Sequence, residues 1–440
     1  MYGKNIKDFG AVSDGKSIVT NEINEAIKAA DLEGGGTVII PSGTFLTGAI
    51  KMKSNINLYL DSGAILKFSN DINDFPRIHT RWEGAEQENY ASCIYGTNLK
   101  NVSITGHGMI DGNGKFWWDL LKVAKKQVPR PKLISFENTN NILIEGVTLV
   151  DSPSWTINPI RCENINVNGI TLINPKDSPN TDGINPESCR NVHISNCHIN
   201  VGDDCITIKS GTEAATELIP CENIVISNCT MLHGHGGIVI GSEMSGGVRN
   251  VTISNCIFEG TDRGIRLKTR RGRGGLVEDI RVNNIIMKDV FCPFVINMYY
   301  YCGPAGKDEY VWSKKPYPIT NETPRFKSIH FSNITARGVS AAAGFIYGLA
   351  ESFVEDVTFD SIIVELKKDA IPELPAMMAQ IEPMNERGFF CGNVKYLKFD
   401  NVIVENIKGP AIHIKNSENV SYNNVEVRNS NTINEIIHRE

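Results

Sequence analysis

The chain is predicted to be all-β, a right-handed parallel β-helix wound as a single solenoid with a short N-terminal capping helix. Three observations predict it: a strand motif that recurs along the chain, an inward face of Val and Ile, and Asn or Gly closing each unit. The motif reads Asn101-Val-Ser-Ile-Thr-Gly, Asn141-Ile-Leu-Ile-Glu-Gly, Asn164-Ile-Asn-Val-Asn-Gly, Asn191-Val-His-Ile-Ser-Asn, Asn223-Ile-Val-Ile-Ser-Asn and Asn250-Val-Thr-Ile-Ser-Asn. It returns in looser form at Ile280, Ile329, Val357, Leu397 and Val420. A repeat of about 20 to 50 residues dictates a solenoid. Apolar alternation with period two marks a strand with one buried face, and Asn or Gly tolerates the left-handed backbone of a tight turn. A leucine-rich horseshoe would need leucines at fixed offsets and a helical segment per unit. The buried positions here are Val and Ile, and no helical periodicity separates the strands.

The first 60 residues read as a cap and the first strands, and residues 61–440 as coils with loop insertions, all in one domain. Thr20 to Ala30 predicts a short helix with Ile23, Ala26, Ile27 and Ala30 on one face, suited to closing the open end of a hydrophobic column. Insertions fall between Phe68 and Ser92, Asp111 and Lys132, and Tyr301 and Phe326, and carry Trp82, Trp117, Trp118 and Trp312. Loops of that size on a rigid scaffold are usually functional.

The 11 cysteines lack any Cys-x-x-Cys spacing, which argues against metal binding. Cys197, Cys229 and Cys256 follow Asn196, Asn228 and Asn255 and predict a ladder of small buried thiols. The start Met1-Tyr-Gly-Lys-Asn-Ile-Lys-Asp has no basic region followed by an apolar run. A cytoplasmic location is the expectation, or a secreted one if a leader has been removed. No apolar stretch is long enough to span a bilayer, so no membrane partner is expected. The net charge of −6 argues against nucleic acid, and Arg270-Arg271-Gly-Arg273 reads instead as a local basic rim that steers an anionic polymer.

Stacking the repeats aligns four motifs: Asn180-Thr-Asp-Gly-Ile, Gly202-Asp-Asp-Cys-Ile, Gly234-His-Gly-Gly-Ile and Arg263-Gly-Ile-Arg-Leu-Lys. Ile184, Ile206, Ile238 and Ile265 form one inward column, and Pro186, Ile208, Ile240 and Leu267 the next. Asn185, Thr207, Val239 and Arg266 lie outward between them, followed outward by Glu187, Lys209, Gly241 and Lys268. Asp203 and His235 share an outward column. Asp182 and Asp204 share its neighbour, where strict alternation turns them inward; two buried unpaired carboxylates are costly, so the turn is expected to rotate them out.

Three crowded acids cannot all ionise at their ordinary pKa. Glycoside hydrolysis uses such a set, one carboxyl as general acid and another as base or nucleophile. A calcium site or an Asn/Asp-rich turn remains open on the residues alone, although the cations Arg266 and Lys268 weigh against calcium.

These four motifs, in this order and spacing, resemble the signature of the polygalacturonases, glycoside hydrolase family 28. The similarity extends to Phe9-Gly-Ala-Val-Ser-Asp-Gly and Gly34-Gly-Gly-Thr-Val-Ile-Ile-Pro-Ser-Gly and fades in the C-terminal coils. Leu267 stands where the family commonly has Ile. The resemblance implies Asp204 as general acid, Asp182 and Asp203 as the pair activating water, an inverting reaction, and His235 bonded into the cluster near Asp203. It implies Arg266 and Lys268 as the grip on a galacturonate carboxylate, with Asn180 orienting substrate or turn. Neither cofactor nor metal is implied; the partner is oligo- or polygalacturonate.

Further candidates for substrate contact are Lys209, outward in the Lys268 column, then Tyr299, of outward parity, and Tyr300, which better matches the family's tyrosine. Glu243 is a weaker one. The segment from Gly236 to Asn250 is similar to bacterial exo-acting members, and the stretches Arg81-Trp82-Glu83-Gly84 and Arg130-Pro131 are placed to wall off one end of a groove. Exo-cleavage that releases galacturonic acid is therefore expected. The alternatives are endo-cleavage, a rhamnogalacturonan or xylogalacturonan substrate, a calcium-dependent pectate lyase-like β-helix, and a noncatalytic carbohydrate-binding β-helix.

Overall fold

The computed structural model describes residues 3–124, 129–301, 303–430 and 436–439. They form two compact units, Met1–Asp204 and Cys205–Glu440. Each is a run of parallel β-helix coils whose equivalent residues stack in register about 4.8 Å apart. In the first unit Val102, Ile142, Ile165 and Val192 make one inward column. Leu66, Ile110, Leu149, Leu172 and Ile199 make another on the shorter strand of each coil. All nine side chains are buried. In the second unit Val251, Ile280, Ile329, Val357, Leu397 and Val420 share one register, so the looser repeats pair as the pattern predicts. Phe331, Phe359 and Phe399 occupy a parallel column with rings stacked at 5.0 and 5.1 Å.

The asparagines that frame the strands adopt positive φ, including Asn101, Asn141, Asn191, Asn223 and Asn250 at 55° to 62°. Their amides hydrogen-bond from coil to coil: Asn141 to Asn101 at 2.9 Å, Asn191 to Asn164 at 3.1 Å, and Asn250 to Asn223 at 2.9 Å. Left-handed backbone costs most residues roughly 1–2 kcal/mol, and Asn less because its short polar side chain bonds locally. Asn250→Ala is therefore expected to cost roughly 1–2 kcal/mol in denaturant unfolding, while Asn250→Gly loses the amide but keeps the backbone freedom and costs less. Equal losses for the two would count against this account of the ladder.

The helix Thr20–Leu32 buries Ile23, Ala26, Ile27 and Ala30, the face predicted for it. The ten described cysteines are all buried. Cys229 and Cys256 stand in equivalent positions on paired coils, and a hydrogen bond between them, together with burial, raises the Cys256 thiol. Cys302 lies outside the described residues.

The insertions depart from the expectation of strand and loop alone. The first contains an antiparallel hairpin, Arg77–Trp82 with Ala85–Tyr90. The second contains a helix, Lys115–Ala124, whose Trp117 and Trp118 are buried. The third contains the short helix Glu309–Trp312. Two of the insertion tryptophans serve packing: Trp82 stacks on Trp155 at 5.3 Å, and Trp117 meets Phe75 and Tyr90 at 5.5 and 5.3 Å. Among the described residues no helix is long and apolar enough to cross a membrane.

Candidate active site

The acids belong to the first unit. The turn before Asp182 is fixed from both sides: Asn180 is left-handed at φ 54°, the Ser178 and Thr181 hydroxyls bond to each other, and Asn174 donates to the Thr181 carbonyl. The Thr156 N–H donates to Asp182 O, and the Gly183 N–H donates to Asp204 O at 3.0 Å, which sets Asp182 and Asp204 on adjacent coils. Carboxylate oxygens of Asp182, Asp203 and Asp204 all lie within 4.8 Å of one another. The turn thus brings Asp182 and Asp204, which strict alternation turns inward, together with Asp203. Asp182 and Asp204 are nonetheless buried, at 3% and 1% exposure, whereas Asp203 is half-buried. Asn185 donates to Asp182 Oδ2 at 3.0 Å, and Asp203 Oδ1 accepts the Asp204 N–H at 2.9 Å.

Arg130, expected to form part of a groove wall, instead lies fully buried beneath this turn. Its guanidinium donates to the Pro153 and Pro179 carbonyls at 3.1 and 2.9 Å and to Asn180 Oδ1 at 2.6 Å. Burial pulls Arg130 down to about 10, against the opposing charges of Glu83, Asp182 and Asp203. It remains cationic at neutral pH and favours the ionised forms of its carboxylate neighbours. Three oxygens this close also fit a shared metal cation, but Arg130 already supplies positive charge to two of them. Arg81, on the other stretch expected to wall the groove, is likewise buried, between Glu86 at 2.7 Å and Glu187 at 3.5 Å.

The remaining candidates lie in the second unit. Its site-bearing sheet sets Ile238, Ile265 and Phe294 in one inward column and Ile240, Leu267 and Ile296 in the next, with Val239, Arg266 and Val295 between them. Tyr300 lies against both cations, 5.7 Å from the Arg266 guanidinium and 5.2 Å from the Lys268 ammonium. Arg266 also contacts Met377 Sδ at 3.0 Å, and Asn297, in the Lys268 column, donates to the Met377 carbonyl. His235 Nδ1 pairs with Asp262 at 2.7 Å. A carboxylate on one ring nitrogen fixes the tautomer and orients the other.

Several readings change. Tyr299 is wholly buried, because its ring packs between Arg271 at 5.3 Å, Lys314 at 3.6 Å and Tyr347 at 5.3 Å, so its outward parity does not expose it to a sugar. Lys209 is buried in an ion pair with Glu243 at 2.8 Å. Burial alone would push Glu243 up, but Lys209, Arg273 and Lys268 outweigh it and hold the carboxyl at about 2. Glu243 therefore balances the cations of this unit. The basic rim is not a rim: Arg270 and Arg273 both bind Glu213, and Arg271 is buried against Glu351. Composition counted their charges but could not show their partners.

Asp262 and the segment 367–386, which brings Met377 to Arg266, escaped the sequence reading. Asp262 stands directly before the Arg263-Gly-Ile-Arg-Leu-Lys motif. Pro372, Pro375 and Pro383 within a 20-residue gap between strands Val354–Leu366 and Arg387–Gly392 were the available signal for the segment.

Coils in parallel register, a tight carboxylate cluster and a paired Arg and Lys define a glycoside hydrolase built on a right-handed parallel β-helix. The profile of glycosyl hydrolases family 28 matches residues 35–375, and the chain belongs to that family. It is 36% identical over 354 residues to a probable polygalacturonase of Vitis vinifera, covering 78% of this chain and 70% of the relative. It is 32% identical to an endo-polygalacturonase of Pectobacterium carotovorum subsp. carotovorum, over 64% of this chain and 73% of that one. The solved structure of a hyperthermoactive exopolygalacturonase from Thermotoga maritima superposes with a TM-score of 0.78 at 31% identity, covering 92% of this chain and 91% of that one.

Proposed function

We propose that the protein hydrolyses α-1,4-galacturonosyl bonds of oligo- and polygalacturonate with inversion, working from the non-reducing end and releasing galacturonic acid. The observation that carries this reading is the approach of the Asp182, Asp203 and Asp204 carboxylates to within 4.8 Å. In it, Asp204 gives its proton to the glycosidic oxygen as the bond to the anomeric carbon breaks. Asp182 and Asp203 hold a water on the opposite face and take its proton as its oxygen bonds to that carbon. Arg130 supports this division of labour, since its charge favours ionised Asp182 and Asp203. Arg266 and Lys268 bind the carboxylate of the leaving sugar, for which a guanidinium fork is well shaped, and Tyr300 positions both. His235, oriented by Asp262, serves the acid cluster. The exo assignment is supported by the likeness to the Thermotoga maritima exopolygalacturonase, while the Pectobacterium relative is named for endo action.

The short acid spacing favours a second reading. Inverting pairs are generally about 6.5–9.5 Å apart and retaining pairs about 5–5.5 Å. A third carboxylate accounts for the closeness without a covalent intermediate, because two acids can share one water. Proton NMR of fresh digests of tri- to hexagalacturonate tests both points. The expected product is galacturonic acid from the first minutes, initially as the β-anomer. Early mixed oligomers would mean endo action, an initial α-anomer would mean retention, and an unsaturated, ultraviolet-absorbing product would mean a lyase.

A further inference from the structure

The second unit contains a cavity of about 760 Å³ lined by Lys314, Tyr347, Phe390, His413 and Lys415, among others. It stands on the columns that carry the cation pair. Arg266 is in register with Val295, Phe345, Phe390 and His413, and Lys268 with Asn297, Tyr347, Gly392 and Lys415. Tyr347 is two coils beyond Lys268 and Phe390 three beyond Arg266, or roughly 10 and 15 Å at the usual strand spacing. A sugar bound here is thus a different residue of the polymer from the one held by Arg266 and Lys268.

The lining combines an aromatic platform with surplus positive charge. Phe390 stacks on Phe345 at 5.4 Å and meets Tyr347 and His413 edge-on at 5.5 and 5.3 Å. Lys314, Arg387 and Lys415 face one lining carboxylate, Glu382. The Lys314 ammonium is buried and has no hydrogen-bond acceptor among the described residues. Burial first, then Arg271 and Lys415, pulls it down to about 7. The backbone around it is clamped, because Arg271 donates to the Ser313 and Lys315 carbonyls at 2.7 and 3.1 Å. A buried ammonium without an acceptor is costly, and one held rigidly beside aromatic rings is preorganised for an anion carrying an apolar face. A uronate sugar is both.

We propose that this cavity is an additional subsite on the leaving-group side, where Lys314 binds the carboxylate of a uronate residue and Phe390 and Tyr347 pack against its ring. The inference rests on the galacturonan reading above and extends it to chain-length preference. It is tested with the full-length protein by comparing kcat/KM for hexagalacturonate and digalacturonate. Lys314→Met is expected to lower the hexamer-to-dimer ratio about tenfold, with Lys415→Ala, at the exposed edge, lowering it about threefold. General misfolding would depress both substrates and leave the ratio alone. Ratios equal to wild type in both variants would overturn the subsite. If the wild type cleaved neither substrate, the functional reading would fall first. Hexagalacturonate binding by calorimetry, weaker in Lys314→Met than in wild type, would then separately support the cavity, and equal binding would refute it.

Discussion

Asp204→Asn is expected to lower kcat on trigalacturonate by roughly a thousandfold, the middle of the range for loss of a general acid, while KM stays within about threefold. The amide matches the carboxyl in size and fits the same buried position, so the coil and the cation pair keep their geometry. In the proposed mechanism, what disappears is the proton for the leaving oxygen. An interaction needed only in the transition state lowers kcat and kcat/KM together. The Gly183 N–H bond reaches the backbone oxygen of Asp204, so the link between adjacent coils is untouched. A loss below about tenfold, with unchanged product, would remove Asp204 from the role of acid.

Arg271→Ala is expected to destabilise the second unit by about 3–5 kcal/mol, the usual cost of removing one partner from a buried ion pair. Arg271 makes a bidentate pair with Glu351 at 2.6 and 2.8 Å and donates to the carbonyls of Tyr310, Ser313 and Lys315. Its loss leaves the Glu351 carboxylate buried and frees three carbonyls at once. Arg271→Lys should recover little, because an ammonium lacks the planar fork that serves both carboxylate oxygens. In a solenoid the damage is local first, so limited proteolysis between Tyr310 and Tyr317 should accelerate at denaturant concentrations that leave the first unit intact. A change below about 1 kcal/mol without faster cleavage would show that this arginine does not hold the segment.

The repeating part of the molecule was legible in the amino-acid order. Alternation states which way each side chain faces, and the asparagines that accept a left-handed backbone mark where the chain turns. The column from Val251 to Val420 and the inward residues flanking Arg266 and Lys268 follow from those two signals, and the buried face of the first helix from apolar residues at i, i+3, i+4 and i+7. The meeting of Asp182, Asp203 and Asp204 does not follow from alternation alone: Asp182 and Asp204 stay buried, and Asn185 donates to the Asp182 carboxylate.

Irregular segments carry no period, and their partners are remote: Arg130 reaches Asn180 across 50 positions, and Arg266 reaches Met377 across 111. Parity exposed Tyr299 and composition made a rim of Arg271, yet packing buried both. The order of residues by itself determined the coil, its inward face and the motifs of the candidate site. Only the tertiary structure decided which charges are neutralised at Glu213, Glu243 and Glu351 and that Lys314 has no acceptor among the described residues, because pairing between distant loops depends on three-dimensional proximity, which local periodicity does not encode.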